Sequence, residues 1–135
     1  SLLDAVGSAE RIISGIGERP VIDHLTGFGL NGFTSGSVCI APHLSTAIRR
    51  ALAQGDVAKA ASLREHFLPL EDLRDRHSPI RVLHEAVALA GISATGPMSP
   101  FLTNLDDPTV LADIRAAAAT LRAASLEHGS AATVR

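Results

Sequence analysis

Two kinds of apolar run alternate along the chain. Consecutive apolar residues without polar alternation occur at residues 11–14 (RIIS), and a short, small-residue run lies at 32–36 (GFTSG). Unbroken short runs of this kind fit strands covered on both faces, as in a parallel sheet. Between them, Pro20 is placed to open a helix carrying Val21, Ile22 and Leu25, and Gly27 and Gly29 close it. After the second run the period changes. Pro42 opens a segment with Leu44, Ala47, Ile48, Ala51 and Leu52 at helical spacing, stopped by Gly55. Asp56 caps the next, in which Ala60, Leu63, Phe67 and Leu70 share one face. Ser78-Pro79 starts another with Leu83, Val87 and Ala90, ended by Gly91. Asp107-Pro108 starts a last one with Val110, Ile114, Ala117 and Leu121 inward. Residues 95–102 (TGPMSPFL) read as extended, because their two prolines exclude helix and central strand.

The predicted order is β, α, β, α and then three more helices. A strand–helix–strand unit with short connections makes the strands parallel, with a right-handed crossover. Two strands do not form a stable sheet alone. Either the α/β chain assembles heavily, or its strands are the last two of a larger barrel; the second alternative makes it the C-terminal part of a (β/α)8 TIM barrel followed by three helices, which is the reading the resemblance given below implies. Residues 1–55 form the barrel part, 56–126 the helical subdomain, and 127–135 a disordered tail.

Composition narrows the class. With 46% apolar residues the 135-residue chain can bury a core. It has no Trp, no Tyr and four Phe, so that core is aliphatic and alanine-rich. A formal charge of −2 lacks the basic stripe of a nucleic-acid surface. No apolar run approaches the roughly 20 residues of a membrane span. The single cysteine, Cys39, excludes an intrachain disulfide framework and fits a reducing, cytoplasmic compartment. A free cysteine of this kind is expected to be buried and inert. The chain begins SLLDAVG without a methionine, which points to a non-native N-terminus.

An ordered set of short motifs carries a resemblance. Ser14-Gly15 ends the first strand; GLNGFTS follows at residues 29–35, and IAP at 40–42 opens a helix. AQGD at 53–56, LPL at 68–70, SPIRVLHEAVALAGI at 78–92 and GPMSPFLTNL at 96–105 come after. Over roughly residues 10–125 the sequence resembles the C-terminal half of the dihydrodipicolinate synthase / N-acetylneuraminate lyase family. The resemblance implies a TIM barrel with a C-terminal helical extension, a homotetramer, and class I lyase chemistry without a cofactor. In that family a lysine on the sixth strand forms a Schiff base with pyruvate or another 2-oxo acid. A tyrosine handles protons, and a Thr-Thr pair binds the carboxylate. None of these can be placed here. There is no Tyr, and the matching lysine falls upstream of residue 1. Lys59, the only lysine, shares a polar stripe with Ser62 and His66, where it remains solvated rather than desolvated for imine chemistry. The chain by itself is therefore expected to contain no catalytic residue and to be inactive.

Functional residues of such barrels sit at the C-terminal ends of strands. That rule selects Ser14, Gly15 and Glu18 after the first strand, and Thr34 and Ser35 after the second, as lining of a pocket for a small 2-oxo acid. Where many family members carry an acid after the Ser-Gly pair, this chain has Ile16 and Gly17, so Glu18 is the compensating candidate. The bland alternative is that the glycines serve tight turns only. The same rule allows a second reading, a phosphate site made by the loops SGIGERP and TSGSV. A third is a non-catalytic helical interaction module. The six histidines are scattered over different elements without metal-ligand spacing, so no metal is expected. Arg81, one turn into its helix, is positioned to meet a neighbouring subunit.

Overall fold

The computed structural model describes residues 2–133. Six α-helices and two short parallel strands follow in the order α1 (Leu2–Val6), β1 (Ile13–Ser14), β2 (Gly32–Phe33), α2 (Pro42–Ala53), α3 (Val57–Arg64), α4 (Leu68–Arg76), α5 (Pro79–Leu89) and α6 (Pro108–Thr133). A wide helical turn at Asp23–Gly27 makes the crossover from β1 to β2, closed by the Phe28 amide donating to the Asp23 carbonyl at 3.1 Å. The strands pair in parallel with Ile13 opposite Gly32 and Ser14 opposite Phe33. They are shorter than the apolar pattern predicted, because Arg11 lies in a 3-10 turn and Thr34 already turns toward the rim. The pairing nevertheless continues, as the Thr34 amide donates to the Ser14 carbonyl at 2.8 Å and Gly17 to Thr34 at 3.2 Å.

Four helices, not three, follow residue 55. The predicted long helix after Asp56 breaks where Leu68-Pro69 begins α4, since proline supplies no amide hydrogen to continue the ladder. The Phe67 amide bonds back to the Arg64 carbonyl at 2.9 Å, closing a tight turn. The apolar stripe survives the break, because Phe67, Leu70 and Leu73 are all buried. They meet Leu44, Ile48 and Ala51 of α2, Val82 and Ala86 of α5, and Ile114, Ala118 and Leu121 of α6 in one core that spans the expected boundary at residue 55. In α5 the buried pair lies one residue before the stripe read from the sequence, with Leu83 and Val87 half-buried beside it.

α6 continues to Thr133, so residues 127–133 are helical where a disordered tail was expected; residues 134 and 135 lie outside the described residues. The alanine-rich run favours helix, and Gly129 has a packing reason: a Cβ there would come within 2.7 Å of the His43 ring. The segment 95–102 is irregular, as its prolines require. The residues that follow it are tied down by Arg81, which donates to the Thr103 carbonyl at 2.6 Å and the Asn104 carbonyl at 2.8 Å, so the guanidinium is directed into its own chain. Asn104 in turn donates to Glu85 at 2.6 Å. Cys39 is exposed, contrary to the buried thiol expected, because the turn Ser37–Cys39 packs Ser37 inward instead.

Asp56 caps α3 through a bond from the Lys59 amide to its side chain at 3.0 Å. Asp56→Ala should lower the unfolding free energy in urea by about 1 kcal/mol. An unchanged midpoint would mean that water serves the helix end equally well.

Candidate functional site

Side-chain alternation sorts the strand residues onto two faces. Ser14 and Phe33, paired in register, lie on the covered face: Ser14 is buried, and Phe33 packs against the core. Ile13 and Gly32 lie on the other face with Gly15 and Thr34, and Ile13 is 61% exposed. Of the five residues selected from the sequence, Gly15 and Thr34 therefore stand on the open face at the strand ends. Ser14 points into the helix layer, where its hydroxyl meets His24 Nδ1 at 2.8 Å.

Glu18 and Ser35 are brought together. Gly17, at φ +94°, turns the chain sharply after β1 and directs Glu18 inward, where it is fully buried. Both carboxyl oxygens accept hydroxyl protons: Oε2 from Ser35 at 2.5 Å and Oε1 from Ser45 of α2 at 2.9 Å. Burial pushes the Glu18 carboxyl up to about 7. The two serine bonds pull the other way, while the charge of Glu71 and a hydrogen bond with it add to the rise.

α4 holds this rim from behind. Glu71, buried, accepts the Glu18 amide proton on Oε1 at 2.9 Å. Arg74, one turn on, approaches the same oxygen at 3.9 Å and donates to Ser37 Oγ, in the loop after β2, at 3.1 Å. Arg19 pairs with Asp72 and lies 3.7 Å from Asp75 and 3.8 Å from Glu71. One helix of the C-terminal extension thus grips the loops after both strands. Glycines make the grip possible: a Cβ at Gly17 would sit 2.6 Å from Glu71 Oε1.

Two cavities open at this rim. One of about 250 Å³ is lined by Gly15, Ile16, Arg19, Glu71, Arg74 and Pro79. The other, about 360 Å³, lies between β2 and α2 and is lined by Thr34, Ser35, Val38, Ser45, Thr46 and Arg49. A larger groove of about 520 Å³ lies between α4 and α6, and none of the strand-end residues lines it. Lys59 is exposed on α3. Among the described residues no group of three His, Cys, Asp or Glu side chains could hold a metal, and no helix is long and apolar enough to cross a membrane.

Ser45 and Glu71 were missed in the sequence, and Arg74, which reads there as part of a solvated helix end with Asp75, Arg76 and His77, is turned inward onto Ser37, although a signal for Glu71 and Arg74 was present. Phe67, Leu70, Glu71 and Arg74 fall at i, i+3, i+4 and i+7, so charges occupy two turns of an otherwise apolar stripe. A charge placed where an apolar residue is due marks a buried polar contact.

A parallel strand pair whose ends are bound by a trailing helical extension makes this an α/β chain. Residues 4–116 match the model of the dihydrodipicolinate synthetase family, and the chain belongs to that family. It is 32% identical over 90 residues to YagE of Escherichia coli (strain K12), a protein named as a provisional 2-dehydro-3-deoxy-D-gluconate aldolase. That match covers 64% of this chain and 30% of YagE. The crystal structure of dihydrodipicolinate synthase from Oceanobacillus iheyensis superposes with a TM-score of 0.71 at 26% identity, over 82% of this chain and 37% of that one. The chain therefore spans about a third of the length of these relatives.

Proposed function

We propose that this chain forms the closing wall of a (β/α)8 lyase barrel, its strands being the last two of the eight, and that the whole protein cleaves or dehydrates a 2-oxo acid through a lysine imine. The observation that carries the reading is the open face of β1 and β2. Gly15 and Thr34 stand at the strand ends where such barrels hold substrate, and an exposed Ile13, paired with Gly32, lies one layer below. A sheet of two strands is not stable alone, so further strands pairing with its edges fit this reading. The family match and the superposed synthase support the same barrel.

In this reading the amine that attacks the 2-oxo carbon comes from sequence preceding residue 1. It forms a carbon–nitrogen double bond with loss of water. The present chain supplies pocket wall, rim and assembly surface, and alone it is inactive. Pyruvate or a 2-oxo sugar acid is the substrate, in keeping with the name of the related aldolase. The same reading makes the whole protein a cytoplasmic homotetramer.

Borohydride reduction in the presence of pyruvate, read by intact mass, tests the proposal. The full product of the reading frame should gain the reduced pyruvate adduct, and the 135-residue chain should gain none. No adduct on either would reject the imine and favour a barrel that binds a phosphorylated substrate with the same loops. An adduct on Lys59 would overturn the account of the exposed α3 face.

A further inference from the structure

Two carboxyls meet in the enclosed junction between the loop after β1 and α4. Glu18 and Glu71 are both buried, and their side chains face each other. Glu71 Oε1 accepts the Glu18 amide at 2.9 Å, while Glu71 Oε2 is enclosed with no hydrogen-bond partner among the described residues. A nearby donor, Arg74 Nε, is enclosed without an acceptor. We propose that this junction is a proton-operated latch: one proton shared between Glu18 and Glu71 keeps α4 closed on the loop after β1, and its loss to solvent turns Glu71 toward Arg74 and Arg19 and frees that loop. The inference goes beyond the imine reading and stands without it.

Each state satisfies a different set of groups. Two ionised carboxylates side by side, away from water, repel each other. A proton carried by Glu18 removes the repulsion and supplies a donor to Glu71. Ser35 and Ser45 keep their bonds to the Glu18 oxygens at 2.5 and 2.9 Å, since a carboxyl O–H oxygen still accepts. Gly17 permits the close approach, because a Cβ there would lie 2.6 Å from Glu71 Oε1. The open state is prepared in the same residues. Arg74 stands 3.9 Å from Glu71 Oε1 and Arg19 3.8 Å from Oε2, both beyond hydrogen-bond length. A turn of Glu71 toward them makes two loose ion pairs into hydrogen-bonded ones and brings an acceptor to Arg74 Nε. It also withdraws the acceptor from the Glu18 amide, which must then reach water.

The neighbouring elements set the bias. α4 also carries Asp72 and Asp75, which hold Arg19 from outside. α3 contributes Arg64, donating to the Arg19 carbonyl at 3.0 Å. The loop after β2 and α2 supply the hydroxyls of Ser35 and Ser45, with Arg49 lining the cavity beside them. Behind β1, His24 is bonded to Ser14 at 2.8 Å. Among the described residues no cation bonds the Glu18 carboxyl, so its burial is offset by the serine hydroxyls alone, and it titrates at about 7.

Native-state hydrogen exchange read by mass spectrometry on the full product of the reading frame tests the latch, with rates corrected for the intrinsic effect of pH. The peptide of residues 16–21 should lose about thirtyfold in protection between pH 5.5 and 8.5, the ratio for a carboxyl that titrates at about 7 when closed and at 4.5 when open. At pH 8.5 its exchange should not respond to dilute urea, because local opening exposes little surface, whereas residues 44–51 of α2 should respond. Glu18→Gln, whose amide donates to Glu71 without a titratable proton, should keep protection high at both pH values. Glu71→Gln retains an acceptor for the Glu18 amide and removes the second charge, so it should shrink the fall severalfold. Equal protection of the parent protein at both pH values, or a fall of the parent's size in Glu71→Gln, overturns the shared proton. Exchange of residues 16–21 that follows urea as α2 does overturns the latch, because the proton is then coupled to whole-chain unfolding only. None of these readouts uses a pyruvate adduct, so the imine reading stands or falls separately.

Discussion

Gly17→Ala should lower the unfolding free energy of this chain by about 3 kcal/mol, far more than the same change at Gly55. Both glycines have positive φ, +94° and +76°, and an L-residue there costs roughly 1–2 kcal/mol. Their surroundings differ. A Cβ at Gly55 meets nothing within 4 Å, whereas at Gly17 it would lie 2.6 Å from Glu71 Oε1. That oxygen cannot simply swing aside, because it receives the Glu18 amide at 2.9 Å inside the core. Moving it leaves a buried amide unpaired, at a cost of about 1–3 kcal/mol. Urea unfolding followed by circular dichroism compares the two variants directly. Equal losses at Gly17 and Gly55 would show that α4 does not hold the loop after β1 as described.

That grip is the part of the structure least visible in the sequence. The parallel strands, the helices after Pro42, Asp56, Ser78 and Asp107, and most of the core were legible, since each rests on a local period or a cap. Phe67, Leu70, Ile114 and Leu121 are buried as their spacing required. The break before α4 was also local, and Pro69 alone decides it; reading the apolar stripe without the proline joined two helices into one. The site is another matter. The strand-end rule selected Glu18 and Ser35 separately, yet nothing local tells that residues 17 positions apart share a hydrogen bond. Still less does it show that residue 71 closes on residue 18. Ser14 was selected by the same rule and lies on the opposite face, because alternation between neighbouring strand residues reverses direction with a shift of one position. The charges at 71 and 74 were readable as an interruption of the core pattern, but their partners depend on how α4 docks.

Glu18 should make the stability of the chain fall as pH rises from about 4.5 to about 7. Its carboxyl titrates near 7 in the folded chain against 4.5 for the unperturbed group, chiefly because burial penalises the charge. Between those values the folded chain binds a proton that the unfolded chain has released, so each pH unit weakens folding by about 1.4 kcal/mol. The loss totals on the order of 3 kcal/mol. Below about 4.5 both states are protonated, and above about 7 both are ionised, so the contribution is constant on either side. Other groups titrate over the same range, and the comparison with Glu18→Gln removes them. The amide keeps a donor and an acceptor for Ser35 and Ser45 but carries no charge at any pH. The variant should match the parent chain in urea at pH 4 and exceed it at pH 8.5 by most of that difference. Glu71→Gln, which removes the neighbouring charge that lifts Glu18, should narrow the gap from the other direction. Parallel pH profiles for the parent and Glu18→Gln would mean that the buried carboxyl is ionised at no net cost. The serine bonds would then outweigh burial, with Ser35 and Ser45 both donating to the carboxylate throughout.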